Sequence, residues 1–356
     1  MSDKKTIGSR ALEIIAEVWN AEKPRVRWGK DGFAWWPGDF RVEVTMHKRM
    51  GGHVPETWLL EVRTSFLKDV PVEDPKFVQL AAAAARFSAP TFAWVYPTAE
   101  VWARHGEAGT LPRLWLSNTA YITPDNVEWL PRFAALMSIM QPINAQIQFE
   151  DMPTILGGGV PDKSRSDALV GLDLHETLWL ADQMYMPIGK EANRWVGAGE
   201  FQSVVEQMGT TERSYGNADD GGLTIETSFG HDTALIRLRT EDAHPALGTG
   251  LLATLQIPIF SNPQEMADEC AYLNLLETMA WTDIPQLGCW HPHTSRADQE
   301  GPAFTMFVPN ALYQPGLAHY VAAWMIQRAR WLREQRFPSM KDKSIDAILK
   351  ERFLGG

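Results

Sequence analysis

The stretch Leu114-Trp-Leu-Ser-Asn118-Thr-Ala-Tyr121 has a counterpart in Met306-Phe-Val-Pro-Asn310-Ala-Leu-Tyr313, with the two asparagines 192 positions apart. A proline follows each tyrosine, Pro124 or Pro315, where its fixed φ and missing N–H suit the first turn of a helix. The helical patterns that come next match best at an offset of 191, which sets Trp129, Leu130 and Phe133 on Tyr320, Val321 and Trp324. Strand, turn and long helix therefore recur, and the chain reads as two copies of one unit.

Upstream landmarks keep the same order. Asp74-Pro75 and Asn262-Pro263 each follow a β-rich run and open a helical pattern with an Asx residue placed to cap it. The runs before them, Thr57 to Val70 and Leu251 to Phe260, suit half-buried strands, as do Arg41 to His47 and Thr233 to Arg239. Val26 to Trp36 and Ser214 to Phe229 are hairpin candidates, with turn residues at Lys30-Asp31-Gly32 and from Asn217 to Gly222. Phe92 to Pro97 matches Leu287 to Pro292 as a further strand. The expected fold is α+β: two tandem α-β-β-β-α-β-β-α domains with antiparallel sheets flanked by helices.

The expected boundaries are a first domain over 1–150, a linker with a partly structured segment over 151–198, a second domain over 199–338 and a tail helix over 339–356. The linker carries Gly157-Gly158-Gly159 and the apolar run Leu174 to Met186, and the tail carries Ile345, Ile348, Leu349 and Phe353.

This order of elements, with Asn-x-x-Tyr leading into the last amphipathic helix, resembles the type III secretion chaperone-like superfamily, particularly its YbjN-type members. The resemblance covers roughly 20–145 and 200–336 and rests on layout. It implies a non-enzymatic chaperone-like protein in which two fused copies form a pseudo-dimer that holds a protein segment, fusion having made their association intramolecular.

Composition narrows the partners. A net charge of -11 repels phosphate backbones, and no long run of Lys and Arg offsets it, so nucleic acid is not an expected partner. Two cysteines, Cys270 and Cys289, suit a reducing compartment, so the expected location is cytoplasmic. Met1 to Asn20 reads as a helix and not as a signal peptide. The apolar stretch from Phe77 to Tyr96 is broken by Gln79, Arg86, Ser88 and Pro90, so no membrane partner is expected. Fifteen tryptophans and 14 methionines supply core and, where exposed, anchors for a protein or peptide client; a homo-oligomer is a further option.

Among chemical motifs, Cys289-Trp-His291-Pro-His293, with Asp298 as a fourth donor, is the strongest metal candidate, because alternate residues on a strand share a face. It is the alternative reading, that of a metal-dependent enzyme or sensor. Trp94-Val-Tyr96-Pro97 at the matching place in the first copy favours a structural strand instead. Gly248-Thr-Gly250 lacks the strand-before, helix-after context of a dinucleotide loop, and Gly157-Gly158-Gly159 lacks the Lys-Ser/Thr of a phosphate loop. Asp219-Asp220 reads as a polar turn, and His175-Glu176 lacks the second histidine of a zinc helix. No cofactor is expected and catalysis has no motif. The candidate binding residues are Trp324, Arg328 and Trp331 on the last long helix, where Arg330, Arg333 and Arg336 also cluster and where an acidic peptide would find arginine beside tryptophan.

Overall fold

The computed structural model describes residues 6–19, 26–36, 40–48, 56–67, 94–97, 114–142, 145, 194–195, 200–208, 214–219, 221–229, 232–240, 248–258, 263–279, 284–293 and 301–334. Asp74-Pro75, Gly157 to Gly159, His175-Glu176, Asp298 and the expected tail helix lie outside these residues. The protein is α+β, and its described residues build two six-stranded antiparallel sheets. No helix among the described residues is long and apolar enough to cross a membrane.

The first sheet comprises β1 (Val26–Trp28), β2 (Gly32–Trp35), β3 (Val42–Lys48), β4 (Trp58–Leu67), β5 (Trp94–Pro97) and β6 (Leu114–Ile122), in the order β1-β2-β3-β4-β6-β5. Strict alternation on β3 sends Val42, Val44 and Met46 into the core and leaves Glu43, Thr45 and His47 on the other face. Leu60 and Val62 of β4 join the core side. That side is covered by α1 (Ile7–Val18) and α2 (Leu130–Ser138). Helix α1 starts where Thr6 Oγ1 accepts from the Ser9 N–H at 3.2 Å, and it buries Ala11, Leu12, Ile14 and Ile15. Trp19, just past its end, stacks on Trp35 at 4.8 Å and donates through Nε1 to Ala135 O at 3.0 Å, tying helix ends to sheet.

A buried amide network locks the middle of this unit. Gln141 accepts from Thr64 Oγ1 (2.9 Å) and donates to Val62 O (3.0 Å) and Asn118 Oδ1 (2.6 Å). Asn118 in turn donates to Gln286 O, and Gln286 exchanges two backbone bonds with Thr119. Every polar group so placed must find a partner, which makes the network specific about register.

The second sheet comprises β7 (Ser214–Asp219), β8 (Gly222–Phe229), β9 (Asp232–Arg239), β10 (Gly250–Gln256), β11 (Cys289–His293) and β12 (Gly301–Pro309), in the order β7-β8-β9-β10-β12-β11. Its helices are α3 (Glu200–Met208), α4 (Pro263–Met279) and α5 (Leu317–Glu334), preceded by a single 3-10 turn, η1 (Asn310–Leu312). Helix α5 packs on β8, β9 and β10. Asn274 of α4 accepts from the Trp290 N–H and donates to the Trp290 carbonyl, both at 2.8 Å, so one side chain serves β11 as a surrogate strand.

The two sheets share one strand order. Each early hairpin supplies two strands, so four strands and not three precede the middle helix pattern. Gly32 pairs with Thr45, and Gly222 with Arg239, at the start of the second strand of each sheet. Followed outward from these glycines, the row Ala34, Glu43, Arg63, Ser117, Trp94 corresponds to Thr224, Arg237, Thr254, Thr305, Cys289. The match of Trp94-Val-Tyr96-Pro97 with Cys289-Trp-His291-Pro292 thus agrees with the ladders.

Two expectations about the repeat register need correction. Asn118 lies inside β6 opposite Val62, whereas Asn310 follows the end of β12, so the asparagines are not equivalent. Leu130 opens α2 eight residues after β6 ends, and Leu317 opens α5 eight residues after β12 ends, so Leu130 corresponds to Leu317 and not to Val321. Four residues is about one helical turn, and an apolar stripe looks the same after that slip. Described residues within 277–287 group with the first unit, where Gln286 pairs with Thr119.

Candidate functional site

The outer face of the first sheet carries a cleft of about 480 Å³. Its lining comes from β1, β2, β3 and β4 and from the segments that join them. Alternation decides which side chains point there. On β3 these are Glu43 and His47, with Arg41 in step just before the strand; on β4, Arg63 is opposite Glu43, and on β1, Arg27 is opposite Ala34.

Glu43 is the centre of the arrangement. Arg63 donates through Nε and Nη2 to its Oε2, both at 2.7 Å, and Arg41 Nη2 donates to its Oε1 at 2.7 Å. The carboxylate is nearly closed off, with 12% side-chain exposure, while Arg41 and Arg63 keep 42% and 30%. Each arginine also lies over a tryptophan: Arg41 is 5.7 Å from the Trp36 ring centroid and Arg63 is 4.7 Å from that of Trp115. Charge-assisted pairing and cation–π contact therefore hold both guanidinium groups in fixed planes. Both Glu43 oxygens are committed to the two guanidinium groups.

The rim differs from the floor. Arg27 is exposed, and no carboxylate among the described residues pairs with it. Trp28 is 49% exposed and rests on Phe33 at 4.8 Å, an unusual exposure for so large an apolar side chain. Beneath the surface, Trp36 Nε1, Arg41 Nε and Thr45 Oγ1 have no hydrogen-bond partner among the described residues, and neither do Ser65 Oγ and Trp115 Nε1 on the same face. Buried groups left so cost about 1–3 kcal/mol each, which an occupant bringing an acceptor oxygen would relieve as the side chains shift.

In the second sheet Arg237 and Thr254 stand where the first has Glu43 and Arg63. The clamp is therefore a property of the first unit. Its residues are absent from the sequence-based candidates because Arg27, Trp36, Glu43 and Arg63 are scattered and meet only through strand pairing. The alternation Val42-Glu43-Val44-Thr45-Met46-His47 is the one local signal that pointed to this face.

Among the described residues Cys289, His291 and His293 do not gather into a metal set, and Asp298 lies outside those residues. Cys289, His291 and His293 alternate along β11, where neighbours on one face are about 7 Å apart, and no group of three metal-ligating side chains forms among the described residues. Burial holds the Cys289 thiol well above its ordinary pKa, so it is not a thiolate ligand. His291 donates through Nδ1 to the Pro292 carbonyl (3.0 Å), which leaves Nε2 to accept from Thr305 Oγ1 (2.8 Å) in a neutral ring. Burial, ahead of the Pro292 bond that opposes it and the neighbouring His293, pushes its pKa down; burial and then Arg237 do the same for His293.

The expected binding residues on α5 are also placed otherwise. Arg328 has no exposure, and its guanidinium carbon lies 3.6 Å from the Phe304 ring centroid. Trp324 is 8% exposed and Trp331 is half-buried. The helix face that packs on its own sheet uses Trp324 and Arg328 as core, so these two do not present an open site. Arg333 Nη1 donates to Ser228 O at 3.1 Å.

No family model, curated protein or solved structure matches this chain.

Proposed function

We propose that this chain is a non-enzymatic, chaperone-like binding protein that holds a segment of a protein client in the cleft on the outer face of its first sheet. The observation that carries the reading is the Arg41–Glu43–Arg63 clamp, stacked on Trp36 and Trp115 beside an exposed Arg27 on the same face, with Trp28 exposed at the sheet edge on the side of Phe33. Arginine and tryptophan held in fixed planes are the residue types that dominate binding energy at protein interfaces. Rigid side chains lose little entropy when a partner docks. The clamp consumes Glu43 internally, which suits recognition better than proton transfer. The chaperone-like layout of the sequence agrees with this reading.

The test is selection from a displayed library of random dodecapeptides on immobilised full-length protein, run beside the Trp28→Ala, Arg41→Ala double variant. Enrichment of a shared motif on the wild type that the variant loses supports the proposal. Equal enrichment on both proteins places binding elsewhere and overturns it.

A further inference from the structure

Resting on that reading of the cleft, we infer that its ligand is an extended acidic peptide segment in which a carboxylate side chain pairs with Arg27 and an adjacent apolar residue covers Trp28. The geometry of β1 sets this pattern. Gly29 donates to Gly32 O at 2.8 Å and closes the β1–β2 hairpin. Alternation of the antiparallel ladder then directs the backbone groups of Arg27 toward β2, and those of Val26 and Trp28 toward the opposite edge. Among the described residues no strand pairs along that edge. An extended segment laid there meets the N–H and C=O groups of Trp28, which is 49% exposed whereas Val26 is buried, a footing for strand addition at that end of β1.

Side chains of such a segment alternate as those of β1 do. The residue opposite Arg27 falls on the outer face, above the cleft, and its neighbour falls beside Trp28. Charge decides the first of these. Arg27, Arg41 and Arg63 outnumber Asp31 and Glu43 in the lining, and Glu43 is already shared between two arginines. The cleft is thus a positive spot on a chain of net charge -11, and it selects an anion against the field of the whole molecule. The exposed indole selects the second residue as apolar. Arg27 acts as the specificity-determining residue.

Three pools of random octapeptides test this, each with a fixed central pair, Glu-Leu, Gln-Leu or Lys-Leu, presented to immobilised full-length protein and counted by sequencing. The wild type should recover the Glu-Leu pool about 10-fold over Gln-Leu, the ratio expected of a charge-assisted pair. Arg27→Gln should bring that ratio to 1, and Arg27→Glu should favour Lys-Leu, a reversal that damage to folding does not produce. Equal recovery of the Glu-Leu and Gln-Leu pools by the wild type overturns the carboxylate inference while leaving the cleft as a peptide site. Recovery of none of the pools overturns both. Co-sedimentation of the wild type with anionic phosphatidylserine vesicles, lost in Arg27→Glu, would overturn the peptide assignment in favour of a lipid headgroup.

Discussion

Gly32 and Gly222 stand at the same rung of their two sheets, and a Cβ on either would lie 1.9 Å from a carbonyl oxygen of the neighbouring strand, that of Val44 or Leu238. Two sheets with one strand order also share this place, where the backbones approach too closely for a side chain. Gly222 adds a φ of +146°, which L residues rarely adopt. Replacing Gly32 with Ala should cost about 3 kcal/mol through overpacking against backbone, and Gly222→Ala should cost more because strain is added. Urea denaturation of each variant checks this; an unchanged midpoint for Gly222→Ala would contradict the ladder assignment.

The clamp should matter for stability as well as for binding. Glu43→Gln removes the charge that orients Arg41 and Arg63, and a stability loss of about 1–2 kcal/mol is expected, since the arginines are partly screened by solvent. The loss should shrink in 1 M NaCl. A salt-independent loss would mean that packing and not charge holds the group.

Acid should weaken the second unit through His291 and His293. Both have folded-state pKa values below the ordinary histidine value of 6.5, so the unfolded chain takes up protons first as pH falls. Stability is therefore full above the unfolded value, declines as pH drops through 6.5, and levels off below the folded values. His291→Asn should flatten the thermal-melting profile between pH 7.5 and 5.5. A profile as steep as the wild type's would assign the proton uptake to other groups.

Arg328 is buried on the face of α5 that packs on the sheet. Arg328→Ala removes a buried guanidinium from the face of Phe304 and leaves a cavity, with a cost of about 3 kcal/mol. Peptide recovery in the selections should be unchanged for the folded fraction. Loss of binding with an unchanged melting temperature would restore Arg328 as a ligand contact.

Much of the fold was legible because strands announce themselves by alternation: Val42 to His47 and Thr233 to Arg239 read as strands without any tertiary information. The correspondence of Trp94 with Cys289 survived because a proline three residues on pins the register. Helix register did not survive, since a slip of one turn preserves the apolar stripe that sets it. The site was illegible for a different reason. Arg27, Glu43 and Arg63 share a row only after three antiparallel pairings, and no local pattern encodes that row. The arginines of α5, by contrast, are conspicuous in sequence because a helix keeps them near one another, and Arg328 proves to be core.

The most direct test of the cleft is hydrogen–deuterium exchange of the full chain with and without a selected Glu-Leu peptide. Slowed exchange over residues 26–36 and 41–47, with the strands β7 to β12 unchanged, is the predicted result. Slowing confined to β7 to β12, or none anywhere at saturating peptide, would contradict the account.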